Sequence, residues 1–188
     1  MENQEINNKI LEIWQEYPEE RGENIPLLYP NFNKEAKLLF IGCNPSLREK
    51  VKENFKFNLN KVNDFIEDEK SIQQNEKDIY FSKFIRFAKE LGLSWNHIDL
   101  FYYRETKQGE FKKKILKNPK NKIKDLDDFN GFGKAQISLS LNLINEINPK
   151  IILVANAFSS DLMKTLFLKN NKLSEEKGHH FIKMNNHN

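Results

Sequence analysis

The sequence predicts an α/β fold, a three-layer α/β/α arrangement around a central, mainly parallel sheet of about four strands. Two observations carry this prediction. The runs "KLLFI" (37–41) and "KIILVA" (150–155) are short, apolar and uninterrupted, as in parallel strands covered on both faces. Segments with helical periodicity lie between such runs, and this alternation is typical of a parallel sheet flanked by helices.

Length and composition favour one domain, 1–188, in which residues 1–36 form an N-terminal helix and an approach segment. With 38% apolar residues and 15 phenylalanines, the chain can bury a core. The net charge of +3 is weak support for an anionic partner.

Several kinds of protein are disfavoured by the sequence. It has no apolar run long enough to cross a membrane and no signal-peptide pattern at the N-terminus, so we expect a cytoplasmic protein without membrane contact. The single cysteine, Cys43, excludes an internal disulfide and a four-cysteine zinc or iron–sulfur site within the chain. We expect no cofactor, no metal and, by default, a monomer.

The first part of the chain reads as a helix, an approach segment and a strand. Apolar residues recur at helical spacing over 3–17, and Pro18 ends that helix. Residues 18–36 contain three prolines and read as an irregular approach to the strand at 37–41. Residues 48–78 are polar and predict a long excursion with one or two helical turns.

The second part continues the alternation. Gly92 is a candidate C-cap for the helix before it, and Asn156 a candidate N-cap for the helix after it. The predicted elements are a helix over 78–91, a strand over 97–103, a lysine-rich and then acidic loop over 107–130, a helix that ends before Pro149, a strand over 150–155, a helix from 157, and a last strand over 179–184.

Three loops follow the carboxyl ends of the predicted strands: 42–47, 102–108 and 156–160. In open α/β sheets, ligands bind at this edge. In the first loop, Gly42 permits a sharp turn or a close approach to a ligand, and Pro45 holds Asn44 extended. A carboxamide cannot act as a base, but it can hold a water or a base edge by hydrogen bonds. The alternative is a simple turn-forming Asn-Pro.

The segment "GCNPSL" resembles the Gly-x-Asn-Pro-(Gly/Ser)-(Leu/Pro) motif of the uracil–DNA glycosylase superfamily, and is closest to its mismatch-specific thymine/uracil and single-strand-selective branches. The segment "HIDLFYYRET" resembles the second-strand region of the mismatch-specific branch. "NPKIILVANAFSSDLMKTL" resembles the segment in which a strand leads into a helix. The resemblance covers roughly residues 35–170, and only its first motif is specific.

The resemblance implies an N-glycosylase that flips uracil or a related modified base out of DNA and hydrolyses its glycosidic bond. Asn44 would then position the attacking water. The remaining expected base-pocket residues are Gly42, Cys43, Pro45, Phe55, Phe57 and Tyr102. Of these, Phe55 or Phe57 would stack on the base, because both follow Asn44 at a suitable distance in sequence.

The expected contacts to nucleic acid come from the site loops and from the lysine-rich segment. They are Ser46, Arg104, Lys112, Lys113, Lys114, Asn156 and Ser159. The alternative for the lysines is a solvated basic loop.

Other interpretations stay open. The superfamily's last motif, a His/Asn-Pro-Ser loop, has no counterpart after the last predicted strand. A non-catalytic nucleic-acid or nucleotide-binding module on the same fold is therefore one alternative. An enzyme of small nucleotides is another, with "NGFGK" (130–134) receiving a phosphate at a helix start. Asp99, inside the second strand, would either bond a turn or a polar base edge or lie at the sheet edge.

Overall fold

The computed structural model describes residues 3–46, 56–73, 78–167, 173–176 and 179–182. It confirms the α/β fold. Among the described residues, the open, all-parallel sheet has three strands in the order β2-β1-β3 and not the four predicted. These strands are β1 (Leu38–Gly42), β2 (Trp95–Asp99) and β3 (Ile151–Val154). The central strand β1 pairs with β2 from Leu38 to Gly42 and with β3 from Leu38 to Ile41.

Strand β1 is buried along its whole length because both of its faces are covered. Leu39 and Ile41 belong to the main core. Leu38 and Phe40 point the other way into a smaller cluster, where the ring of Phe40 stacks on that of Phe84 at 4.2 Å between centroids. Burial on both faces explains why the strand is an uninterrupted apolar run.

Seven helices are present among the described residues. In chain order they are α1 (Asn3–Glu16), α2 (Pro18–Arg21), α3 (Val62–Gln73), α4 (Phe81–Leu91), α5 (Gln108–Ile115), α6 (Gly131–Ile147) and α7 (Ala157–Leu162), with single turns of 3-10 or π-helix at Leu59–Lys61, Leu126–Asp128 and Met163–Phe167. The predicted caps are confirmed: Gly92 closes α4 in the left-handed region, and the Asn156 side chain caps α7.

Two of these helices differ from the sequence prediction. Helix α5 lies in the segment predicted as a lysine-rich loop, and α3 is longer than the one or two turns predicted there. The buried face of α3 is made of Phe65 and Glu69. A charged residue at a buried helical position breaks the apolar period, so the pattern did not indicate a full helix.

The second strand ends earlier than predicted, at Asp99. Leu100 and Phe101 still donate hydrogen bonds to the carbonyls of Gly42 and Cys43, and the chain turns away at residues 102–103. Buried Gln136 explains the change, because its Oε1 accepts hydrogen bonds from the backbone N–H groups of Tyr102 (2.9 Å) and Tyr103 (3.0 Å). The approach segment lies beside residues 102–103, since the Leu27 N–H donates to the Tyr102 carbonyl at 2.9 Å. The chain that follows β2 is therefore held by side chains and a neighbouring segment.

The last predicted strand does not join the three-stranded sheet. It forms β5 (His179–Ile182), which pairs antiparallel with β4 (Leu173–Glu176) in a separate two-stranded sheet. In the part of the chain that the structure describes, no helix has the length and apolar character needed to span a membrane.

Candidate functional site

A cavity of about 410 Å³ opens where the carboxyl ends of β1 and β2 and the residues after β3 meet. Loops and helices from separate parts of the chain contribute to its wall. The lining side chains on which its chemistry depends are Asn44, Tyr80, Phe81, His97, Asp99 and Arg104. The predicted position of the site, at the carboxyl edge of the sheet, therefore coincides with a real cavity.

Asn44 lines this cavity and also ties two loops together. Its Nδ2 donates to the carbonyl of Glu105 at 2.7 Å and lies 3.3 Å from those of Tyr103 and Pro45. Because carbonyl oxygens only accept hydrogen bonds, the amide nitrogen must face them. The Pro45 carbonyl in turn accepts from the Glu105 N–H at 3.1 Å. The loop after β1 is thus fastened to the loop after β2, and the Asn44 amide has a fixed orientation.

Gly42 and Asp99 are partners across the β1–β2 pair, and Asp99 lines the floor of the cavity, whereas Gly42 lies behind it and is not among the lining residues. A side chain on Gly42 would overlap the Asp99 carboxyl and come within 3.0 Å of the Tyr80 hydroxyl. The glycine is therefore needed for the close approach of a carboxyl group and not for a turn, since its φ is not positive. Asp99 itself is buried.

The floor carries little charge at neutral pH. Burial raises the pKa of Asp99 to about 8, and the nearby Glu69 carboxylate adds to this rise while Arg104 opposes it. Burial also lowers the pKa of His97 to about 3. The two groups are 3.9 Å apart, but with a neutral imidazole and a protonated carboxyl they do not form an ion pair at pH 7.

One wall of the cavity is aromatic. The Tyr80 hydroxyl lies 3.3 Å from His97 Nε2, and the Phe81 ring meets the His97 ring edge to face at 5.1 Å. Tyr80 is 40% exposed, whereas Phe81 is buried. This wall offers a surface on which a planar ring can stack.

Arg104 lines the cavity but is already paired. Its guanidinium forms a buried ion pair with Glu69 of α3, and its Nη2 also contacts the Pro26 carbonyl at 3.5 Å. Arg104 is buried, whereas the sequence predicts that it contacts a DNA backbone. A buried pair of this kind fixes α3 over the cavity.

Cys43, Asn156 and Ser159 lie close together at the edge of the cavity. Burial raises the pKa of the Cys43 thiol to about 12, so the thiol is protonated and a poor nucleophile at neutral pH. Asn156 Oδ1 accepts from the N–H groups of Phe158 (2.8 Å) and Ser159 (3.2 Å). Asn156 therefore acts as a helix cap that also lines the cavity, and Ser159 is fully buried beneath it.

Two predicted base-pocket residues lie elsewhere. Tyr102 is fully buried, and its hydroxyl contacts Ser140 Oγ at 2.8 Å inside the core. Phe57 packs under the Arg21 guanidinium, 4.4 Å from its ring centre. Neither lines the cavity, because the first belongs to the core and the second to the surface near α2. Phe55 lies outside the described residues.

The three lysines predicted to contact nucleic acid lie on helix α5 and differ in their contacts. The Lys112 Nζ stands 4.4 Å above the Phe158 ring, next to the cavity edge. Lys113 pairs with Glu110 at 2.8 Å, and Lys114 is exposed. Pro45 and Ser46 line the cavity as expected.

The glycine-rich stretch 130–134 forms the start of helix α6. Asn130 Oδ1 accepts from the Gly133 N–H at 2.8 Å. A side chain on Gly131 would strike Tyr17, and one on Gly133 would strike the Ile115 carbonyl. Close packing accounts for both glycines without a phosphate.

Sequence reasoning missed Tyr80, Phe81 and Glu69 as site residues. The first two stand just before and at the start of α4, and only the order of strands in the sheet brings them to the carboxyl edge. Glu69 could have been found as a charged residue in line with Phe65 on one helical face. Among the described residues, no cluster of three or more His, Cys, Asp or Glu side chains could hold a metal.

Comparisons of the chain with protein-family models, with curated proteins and with solved structures give no match. The functional assignment therefore depends on the geometry and chemistry of the cavity.

Proposed function

We propose that this chain is a DNA N-glycosylase of the uracil–DNA glycosylase type, with a three-layer α/β/α fold, which hydrolyses the bond between deoxyribose and uracil or a related modified base. The observation that carries the proposal is the fixed amide of Asn44 at the rim of a cavity with an uncharged floor. A volume of about 410 Å³ falls within the usual range for small-molecule sites. An uncharged floor beside an aromatic wall suits a neutral heterocycle.

Asn44 would position the attacking water. Its nitrogen is engaged by backbone carbonyls, so its oxygen is the atom that can accept a hydrogen bond from water. The amide orients that water without removing a proton. The bond from C1′ to the base nitrogen breaks with its electron pair on the base. The water oxygen then bonds to the cationic sugar carbon, and its proton passes to solvent or to the released base.

The base would stack on the wall formed by Tyr80 and Phe81, in place of the phenylalanines expected from the sequence. The Tyr80 hydroxyl is held by His97, which limits rotation of the ring. Stacking of a base on an aromatic side chain contributes roughly 1–3 kcal/mol.

DNA would be bound chiefly by cations outside the cavity, because Arg104 is neutralised by Glu69. Lys112 stands at the cavity edge, and Lys114 adds an exposed charge on the same helix. Such contacts depend strongly on salt concentration.

The proposal is tested by incubating the purified protein with single- and double-stranded oligonucleotides that each carry one modified base. The panel includes deoxyuridine, deoxyinosine, deoxyxanthosine and 5-hydroxymethyldeoxyuridine. We expect free base and an alkali-labile abasic site from at least one substrate. The absence of both products across the panel, with folded protein, would contradict the proposal.

A non-catalytic binding module is the second candidate, and one observation favours it. Asn44 and Arg104, two of the polar residues expected to act on DNA, both have internal structural partners. A module of this kind would bind an oligonucleotide without releasing base, and Asn44→Ala would leave that affinity unchanged in protein that remains folded.

A further inference from the structure

The Asp99 carboxyl is a buried polar group that faces the cavity and has no hydrogen-bond partner among the described residues. Asp99 is 6% exposed and lines the cavity floor. Its backbone N–H contacts the Tyr29 hydroxyl at 3.4 Å, but no hydrogen bond joins its carboxyl oxygens to any other residue that the structure describes. Burying a carboxyl group without such bonds costs stability, so its presence at a cavity floor calls for a ligand-based explanation.

The neighbouring groups do not supply the missing partner. The Arg104 guanidinium lowers the pKa of Asp99, but it is itself bound to Glu69. His97 Nε2 is 3.9 Å away, beyond hydrogen-bond distance, and is directed to the Tyr80 hydroxyl at 3.3 Å. Gly42 leaves the space that the carboxyl occupies. The floor is thus shaped to present this group to the cavity.

We infer that Asp99 is the specificity-determining residue of the site, and that as a neutral carboxylic acid it pairs with a base edge that carries one hydrogen-bond donor beside one acceptor. This inference rests on the proposed function, because it names what the same cavity recognises. The N3–H and O4 of a uracil ring form such an edge.

The protonated and ionised forms of the Asp99 side chain differ in the hydrogen bonds that they can make with such an edge. A protonated carboxyl has one O–H donor and one carbonyl acceptor side by side, so it forms two parallel bonds with an edge of this kind. An ionised carboxylate only accepts, so it would repel the carbonyl of the same edge. Recognition therefore requires the protonated form, which burial favours up to about pH 8.

Other titratable groups face Asp99, and burial moves the pKa of the tyrosines, of the thiol and of His97 away from that of Asp99. They are Glu69 from α3, Arg104 after β2, Tyr29 from the approach segment, Tyr80 before α4, Cys43 after β1, and Tyr102 and His97 beside Asp99 in the chain. Burial raises the pKa of the tyrosines and of the thiol and lowers that of His97. A binding profile between pH 6 and 9 therefore reports Asp99 and not these side chains.

The test measures binding of two probes to the full chain by ligand-observed NMR. The first is 1-methyluracil, in which the methyl group stands for the sugar carbon and N3–H is intact. The second is 1,3-dimethyluracil, which has lost that donor. We expect the wild-type protein to bind the first at pH 7 and the second at least tenfold more weakly, because an unmatched buried acceptor opposes binding. Above pH 8 the affinity for 1-methyluracil should fall about tenfold per pH unit.

Two variants separate recognition from a structural role. Asp99→Asn keeps the shape and one donor beside one acceptor but cannot ionise, so it should bind 1-methyluracil at pH 7 within about threefold of wild type. The affinity of Asp99→Asn for 1-methyluracil should not change with pH, apart from the effect of ionisation of the probe itself. Asp99→Ala should lose the preference for 1-methyluracil over 1,3-dimethyluracil while staying folded by circular dichroism. If Asp99→Ala is unfolded, the pH dependence of 1-methyluracil binding to Asp99→Asn alone separates recognition from a structural role.

The outcomes distinguish this inference from the proposed function. Base release from DNA with identical pH profiles for wild type and Asp99→Asn would support a glycosylase and overturn the role of Asp99. Probe binding with the expected pH profile but no base release would support Asp99 and overturn the glycosylase. Equal binding of the two probes, or no binding of 1-methyluracil to the wild type, would overturn the inference.

Discussion

Gly42 lies so close to Asp99, which lines the cavity floor, that a methyl group on the glycine would overlap the aspartate Oδ1. They are register partners on adjacent parallel strands, and one lacks a side chain where the other carries a buried carboxyl group. The first strand of the sheet thereby makes room for the polar group of the second. This relationship is the basis of the first two predictions.

Gly42→Ala should destabilise the protein by about 1–3 kcal/mol, because the added methyl forces the buried carboxyl or its strand to move. The matched control is Gly109→Ala on exposed helix α5, where an added side chain meets nothing within 4 Å. That control should be neutral or slightly stabilising, since alanine favours a helix. Urea unfolding of both variants checks the prediction, and equal effects would contradict the close approach.

The stability of the protein should carry a pH dependence that Asp99 causes. Its pKa is about 8 when folded and near 3.8 when unfolded, so between these values the folded state holds a proton that the unfolded state has lost. Stability therefore falls as pH rises through this window, by up to about 1.4 kcal/mol per pH unit, and the Asp99 contribution levels off above pH 8.

The measurement for that prediction is the free energy of unfolding from pH 5 to 8 in wild type and in Asp99→Asn. The variant should lose the Asp99 part of the slope. Asp127→Asn is the control, because exposed Asp127 has its pKa lowered by Lys134 and is ionised in both states throughout this range. Parallel pH curves for wild type and Asp99→Asn would show that Asp99 ionises normally.

The buried pair of Arg104 and Glu69 should respond differently to single and double substitution. Arg104→Ala or Glu69→Ala alone leaves a buried charge without its partner and should cost about 3–5 kcal/mol. The double variant should cost clearly less than the sum. The control is the exposed pair of Lys113 and Glu110, where both alanine variants should change stability by less than about 1 kcal/mol. Additive costs at the buried pair, measured by urea unfolding, would exclude strong coupling.

Lys112 should contribute to DNA affinity because it lies at the cavity edge beside Phe158. Lys112→Ala should weaken binding and reduce the slope of log affinity against log salt by roughly 0.9 for each lost phosphate contact. The control is Lys150→Ala, since Lys150 precedes β3 at the opposite edge of the sheet. Fluorescence anisotropy at several salt concentrations gives both slopes, and identical effects of the two variants would indicate non-specific attraction only.

The sequence predicted the edge of the sheet at which the cavity lies. The strands β1 and β3 are uninterrupted apolar runs, and the end of each run marks the end of the strand. It also placed Asn44, Pro45, Ser46 and Asn156 correctly at that edge. These residues are adjacent in sequence to their strands, so local pattern is sufficient to locate them.

The remaining residues depend on contacts distant in sequence. Arg104 was assigned to DNA, but its partner Glu69 is 35 residues away on a helix whose period is broken by that same charge. Tyr102 was assigned to the pocket, but Gln136 and Ser140 draw residues 102–103 into the core. Asp99 was recognised as unusual from its strand position, whereas its neutrality follows from burial by the whole fold.

Release of free base from deoxyuridine-containing DNA is the measurement that tests the proposed function most directly. Under single-turnover conditions, wild-type protein should release uracil from a single- or double-stranded oligonucleotide. Asn44→Ala should reduce the rate at least a hundredfold while remaining folded, and exposed Asn142→Ala should retain the wild-type rate. Release by Asn44→Ala at the wild-type rate would contradict the role of Asn44, and no release by the wild type from any substrate of the panel would contradict the glycosylase itself.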